Sequence, residues 1–222
     1  MYGPDGGTPQ PIKIEPQDFH DVAQLFVQQS TTVYQVLPTL FRVLAGFRGP
    51  AGIDKSAHQF DASYRPAVQT LVDGVNSAVD VLGDIGLGID MSALNHWNAD
   101  AAATPSGAPP PPWSPVDTGL VLPQSLLAPS LVGSPTAVLP SPLDGLVPMG
   151  HTDELRTVAQ AFDTARDSLT TVAQDLHSSL ESLVANNDSA DLDALNDFWN
   201  QVGGTNTSAI LSALPAGSFQ SL

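Results

Sequence analysis

Phe19, Phe26, Val33, Leu40 and Phe47 stand seven residues apart. Val22, Val36 and Val43 follow that series by three and Ala23, Leu37 and Leu44 by four, so residues 17–48 carry one broad apolar face at the α-helical period. Gln29 and Ser30 interrupt the face once, and Pro38 should kink the helix or cost one backbone hydrogen bond. A second series, Tyr64, Leu71, Ala78 and Ile85, has Val68, Val75, Leu82 and Ile89 four after each member. It predicts a helix over about 55–99. Gly83, Gly86 and Gly88 each lower helix propensity by up to ~1 kcal/mol relative to alanine, which weakens the end of that helix.

Leu155, Phe162, Leu169, Leu176 and Leu183 form a third series, supported by Val158, Ala165 and Val172. Asp153 and Glu154 suit the positive N-terminal end of this helix, which starts at Thr152 and stops at Asn186-Asn187-Asp188. A shorter helix follows from about Ala190, capped by Asp188 or Ser189, with Leu192, Leu195, Trp199 and Val202 on one face. Residues 207–214 have the composition of a last short helix before Pro215. Strand alternation is weak throughout. The expected fold is all-α, with long antiparallel helical hairpins packed as a helical bundle.

The first two helices are separated by LAGFRGPAG at 44–52, a glycine- and proline-rich interruption that should turn the chain back on itself. Its Phe47-Arg48-Gly49 is read first as a tight connection and second as a tip that a neighbour contacts. Residues 101–150 are rich in proline, including the run 109–112, and exclude helix. Leu120, Leu122, Leu126, Leu127 and Leu131 make this stretch too apolar for an ordinary linker. Part of it should lie against the helices as an extended arm, with Trp113 anchoring that arm or docking a partner. The organisation is then an extended leader over 1–16, a helical hairpin over 17–100, a proline-rich linker or arm over 101–150 and a second helical domain over 151–222.

Composition removes several function classes. Net charge is −16, and no Lys or Arg falls between Arg65 and Arg156. A surface this acidic repels phosphate backbones and anionic lipid heads, so nucleic acid is not an expected partner and membrane contact is not favoured. With no cysteine, disulfides and thiolate metal sites are ruled out. The first residues lack the basic and apolar regions of a Sec signal peptide, and no apolar run approaches the ~20 residues of a membrane-spanning helix. His20, His58, His96, His151 and His177 are scattered without metal-pair spacing, and no glycine-rich phosphate loop, carboxylate pair or activated serine is evident. No catalytic, metal or cofactor site is expected, and the chain is not expected to be an enzyme.

Three features together resemble the WXG100-like substrates of actinobacterial type VII secretion. Phe47-Arg48-Gly49 stands at the hairpin turn where that family has Trp-x-Gly. After the second helix, His96-x-x-x-Asp100, with Trp97 beside its histidine, stands where the family has a Tyr-x-x-x-Asp/Glu export signal. GHTDELRTVAQAFDTARDSL, opening at Gly150 after the proline-rich stretch, is similar to the Gly-Asp-x-x-x-Leu-Arg opening of the second helical domain in large actinobacterial toxins. Phe for Trp and His for Tyr depart from the family pattern.

The resemblance implies a secreted or cell-surface, outer-membrane protein exported without a Sec signal. It implies a secretion-targeting and partner-binding module of a type VII-exported toxin or channel protein. The partners implied are small WXG100-type helical proteins and the type VII machinery, with a homo-oligomer as another arrangement. Trp113 and Trp199 are candidate partner contacts, although Trp199 is read first as core for the 151–186 helix. In the relatives a toxin domain, commonly acting on NAD, lies C-terminal to two such helical domains. A secreted structural or pore-forming helical protein is the alternative.

Overall fold

The computed structural model describes residues 14–103, 114–116, 119, 126–133 and 150–202. Four helices account for most of them: α1 (Pro16–Leu44), α2 (Lys55–Ala103), α3 (Thr152–Asn186) and α4 (Ala190–Val202). Among the described residues there is no strand, and the helices pack on one another as an all-α bundle. Segments 1–13 and 207–214 lie outside the described residues.

α1 is the shared element, packed against α2 on one side and α3 on the other. Phe19, Phe26, Val33 and Leu40 of the expected series are all buried, as are Ala23, Leu37 and Leu44. Ser30, which interrupts the apolar face, is itself buried and donates its hydroxyl to the Val79 carbonyl across the hairpin at 3.2 Å. The polar residue is therefore satisfied inside the core. α1 also runs unbroken through Pro38. The neighbouring Leu37 and Leu40 are almost fully enclosed, and that packing outweighs the loss of one backbone bond.

α1 stops at Leu44, earlier than the expected 48, and Phe47 lies in the turn. The Ala45 and Gly46 amides return to the Phe41 and Val43 carbonyls, tightening the last turn before Gly49 and Gly52 take positive φ. Asp54 then opens α2, its carboxylate accepting the Ala57 amide at 2.9 Å.

α2 continues through Gly83, Gly86 and Gly88 to Ala103, beyond the expected end. Its core face holds Val72, Val79, Gly86 and Ala93 as well as Val68, Val75, Leu82 and Ile89. Ala78 and Ile85 are only partly buried. The reason is close approach. A Cβ on Gly86 would meet the Ala23 carbonyl oxygen at 3.1 Å, Val27 Cγ2 at 3.2 Å and Phe26 Cβ at 3.3 Å. Gly86 is a contact point between α1 and α2, while Gly88 faces open space.

α3 begins beside the turn, where the His151 amide donates to the Pro50 carbonyl at 2.8 Å. It ends beside the start of α1. There Asn187 accepts the Glu15 amide on Oδ1 at 2.6 Å and donates from Nδ2 to the Leu183 carbonyl and to Asp18. α3 is thus antiparallel to α1. Ser189 caps α4, which folds back so that Trp199 meets Phe26 edge-on at 5.7 Å.

Near the turn, Tyr64 of α2 stacks on Phe60 and meets Phe162 of α3 edge-on at 6.2 Å. Its hydroxyl is buried with no hydrogen-bond partner among the described residues. Burial, reinforced by the Asp61 carboxylate, pushes its phenol up to about 12.

Two stability tests follow from these contacts. Gly86→Val should lower unfolding free energy by about 1–3 kcal/mol by overpacking the α1–α2 contact. Gly88→Ala should raise it by up to ~1 kcal/mol, since the site is open and alanine favours helix; urea melts of both variants read the difference. Because the folded state holds the Tyr64 proton longer than the unfolded chain, stability should be intact below pH 10 and fall between about pH 10 and 12. Tyr64→Phe should remove that part of the alkaline loss without destabilising the protein at neutral pH, as measured by melts across that range.

Candidate functional site

Two regions hold the residues that the sequence singles out: the hairpin turn, and the far end of α2 with α4 against it. At the turn, Phe47 is partly buried against the core, Arg48 is exposed and Gly49 is buried with φ 72°. A Cβ on Gly49 would stand 1.9 Å from Gly133 Cα, inside any allowed contact. Gly49 is therefore required both by its backbone conformation and by the segment lying on it.

That segment is the chain's own proline-rich connection. The Ala51 amide donates to the Leu131 carbonyl at 2.9 Å and the Gly133 amide to the Gly52 carbonyl at 2.8 Å. Val132 forms isolated bridges with Pro50 and Gly52. Asp61 of α2 accepts the Leu131 amide at 2.8 Å while Arg65 pairs with its other oxygen at 3.3 Å. Leu131 is 1% exposed, so the strip is anchored by a core residue as well as by polar contacts. Over 130–133 the connection thus lies against the hairpin, whereas Leu127 is 78% exposed.

A second anchor sits at the opposite end. Asp90 of α2, 3% exposed, lies 2.7 Å from His20 Nδ1 of α1 and accepts the Val116 amide at 3.1 Å. One buried carboxylate therefore links the two helices of the hairpin to the connection. These clamps were invisible in the sequence, because each joins residues far apart in the chain and none belongs to a repeating pattern. Trp113, three residues before Val116, lies outside the described residues.

Further along α2, His96 packs its ring on Phe19 at 5.7 Å, and its Nε2 lies 3.3 Å from the Asp191 carboxylate of α4. Nε2 is buried and makes no aligned hydrogen bond among the described residues, so the contact with Asp191 is one of proximity rather than an aimed bond. Asp191 also accepts the Ser92 hydroxyl at 2.8 Å. Trp97 is half-buried, and Asp100, in the last turn of α2, is exposed and makes no ion pair among the described residues. Trp199 is buried at 6% exposure and donates from Nε1 to His177 Nδ1 at 3.3 Å. It occupies the core position expected of it.

Between α2 and α4 lies an open groove of about 360 Å³, floored by Phe19, Ile85, Ile89 and Leu192. A second of about 270 Å³ runs between α1 and α3, lined largely by small and hydroxyl side chains. No group of three or more potential metal ligands occurs among the described residues. None of their helices is long and apolar enough to cross a membrane.

No family model and no solved structure matches the chain. It is similar to two curated proteins, the outer membrane channel protein CpnT of Mycobacterium bovis (strain BCG / Pasteur 1173P2) and that of Mycobacterium tuberculosis (strain ATCC 25618 / H37Rv). Each is 31% identical over 107 residues, which cover 46% of this chain and 13% of the relative.

The turn geometry yields a direct test. Gly49→Ala forces a side chain onto the Gly133 backbone and into a left-handed conformation that alone costs ~1–2 kcal/mol. It should speed proteolytic cleavage within 126–133 while leaving helix content by circular dichroism near the parent value. Gly46→Ala, in the same turn at negative φ, should leave the cleavage rate close to that of the parent.

Proposed function

We propose that this chain is the secretion-targeting and partner-binding helical part of a type VII-exported toxin or channel protein, pairing with small WXG100-type proteins. The observation that carries the reading is the similarity to two mycobacterial outer membrane channel proteins over a stretch that is only a small part of their length. The helical hairpin, with its glycine turn and the His96-x-x-x-Asp100 motif near the end of its second helix, supports it. On this reading the chain is not itself an enzyme. Any enzymatic toxin activity, such as cleavage of NAD, belongs to a domain outside these residues.

Asp100 adds a physical argument. A carboxylate in the last turn of a helix faces the negative end of the helix dipole, which disfavours it by ~0.3–1 kcal/mol. No basic residue in that turn offsets it. An exposed acid held against its local electrostatics, with no ion pair in the described structure, is available for recognition by another molecule.

The relatives' name, outer membrane channel protein, favours a second reading in which the chain is secreted and membrane-active. With no membrane-length helix among the described residues, this role requires several amphipathic helices to assemble in the bilayer.

Export from an actinobacterial host tests the first reading, with lysates checked for equal folded protein. Asp100→Ala and His96→Ala should each reduce the exported fraction about tenfold or more, a loss equal to ~1.4 kcal/mol of recognition free energy. Asp191→Asn, which removes the carboxylate beside the histidine but leaves the motif intact, should be exported like the parent. Equal export of all variants would overturn the motif assignment. Retention of the parent, together with leakage of dye-loaded liposomes by the purified chain, would favour the membrane-active reading.

A further inference from the structure

The groove between α2 and α4 differs from the rest of the surface in both shape and charge. Along α2 its wall runs from Ile85 through Gly88 and Met91 to Asn95, about 15 Å at the helical rise, and Val81 lies one turn before Ile85. Val81 is 38% exposed and Met91 54% exposed. Gly88 supplies no side chain, and the space a Cβ would occupy is empty. On α4 the facing wall is Leu195, and Phe198, one turn further along that side, is 44% exposed. A strip of exposed large apolar side chains beside an apolar floor is the shape that receives an amphipathic helix.

The charge around it selects the kind of helix. Every Lys and Arg among the described residues, Arg42, Arg48, Lys55, Arg65, Arg156 and Arg166, lies in the half of the bundle towards the turn. The groove lies in the other half. Asp191 lines it on α4, and on α2 the exposed Asp84 stands one turn before Gly88, with Asp80 a turn before that. A second copy of this chain docking by the same face would set carboxylates against carboxylates with no cation to offset them.

We infer that the α2–α4 groove is the docking site for a basic amphipathic helix of a partner protein, its apolar face on Ile85, Gly88, Met91 and Leu195 and its lysines or arginines towards Asp84 and Asp191. This deepens the partner-binding role proposed above and rests on it. It is separable in practice, because groove binding is read on purified protein and export is not.

The probe is a fluorescein-labelled peptide of ~18 residues, leucine and lysine at the helical repeat, beside a counterpart with glutamate at every lysine. Any acidic protein attracts a cationic peptide, so the decisive comparison keeps charge constant. Gly88→Leu fills the groove, whereas Gly74→Leu places the same side chain in open space elsewhere on α2. Both substitutions favour helix, and melting curves confirm that both variants fold. The lysine peptide should bind the parent and the Gly74 variant within about twofold of each other, and the Gly88 variant about tenfold or more weakly. Asp84→Asn should weaken binding and flatten its salt dependence. Equal binding by the two leucine variants, or equal binding of the glutamate peptide, would overturn the inference. So would a parent dimer in sedimentation that Gly88→Leu dissolves, which makes a second copy the occupant, or Gly88-dependent flotation with neutral lipid vesicles, which makes it a bilayer. Failure of the parent to bind either peptide would overturn the basic-helix inference while leaving export, and hence the targeting role, standing.

Discussion

A helix with apolar residues on more than one side cannot be covered by a single neighbour, and α1 is such a helix. Phe19, Phe26, Val33, Val36, Leu37 and Leu40 are all buried, yet they are spread too widely around the helix axis for one partner to enclose. α2 covers one side and α3 the other, and α4 closes the remaining gap only beside Phe19 and Phe26. The hairpin alone would leave the α3-facing side in water. What might have been covered by a second molecule is covered here by the chain's own later helices.

Two glycines set how closely the backbones come together, and they act by different means. Gly86 lets α1 and α2 approach until the Ala23 carbonyl touches the space of a missing side chain. Gly49 uses positive φ to turn the chain and, in the same place, accepts the backbone of Gly133. The turn is consequently fastened from outside by the proline-rich connection, with Asp61 holding Leu131 and Asp54 starting the next helix. Phe47-Arg48-Gly49 answers a demand of the chain itself, and only Arg48 of the three stands well clear of it.

What the sequence conveyed well was periodic. Seven-residue spacing located the helices, the core positions of α1 and most of those of α3, where Leu155 and Phe162 are only partly buried, because a buried face repeats and its repetition survives local interruption by Ser30 or Pro38. It conveyed α2 less well. A glycine in a helix lowers propensity whether or not it lies at a contact, so Gly83, Gly86 and Gly88 looked alike although Gly86 sits at a close contact and Gly88 in open space. Least visible were the polar clamps. His20 with Asp90, Asn187 with Glu15 and Asp61 with Leu131 each tie together residues that the chain separates widely. Their partners are backbone amides as often as side chains, and a backbone amide carries no residue identity. Of the candidate site residues, the histidine at 96 was legible by spacing, but its pairing with Asp191 depended on where α4 came to rest.

The molecule that results is asymmetric along its length. Towards the turn, basic and acidic side chains are mixed, and the connection occupies the exposed backbone. Towards the other end, Lys and Arg are absent among the described residues, α4 leaves a groove beside α2, and Met91 and Phe198 stand partly in water. Electrostatics acts over about 8 Å at physiological salt, so a single ion pair cannot neutralise an end of this size. On the inference drawn above, a cationic helix would offset that charge and cover the apolar strip at once, which the closed turn does not invite. The two ends therefore differ in what they leave exposed: the turn is covered by the connection, whereas the far end keeps carboxylates and apolar side chains in water.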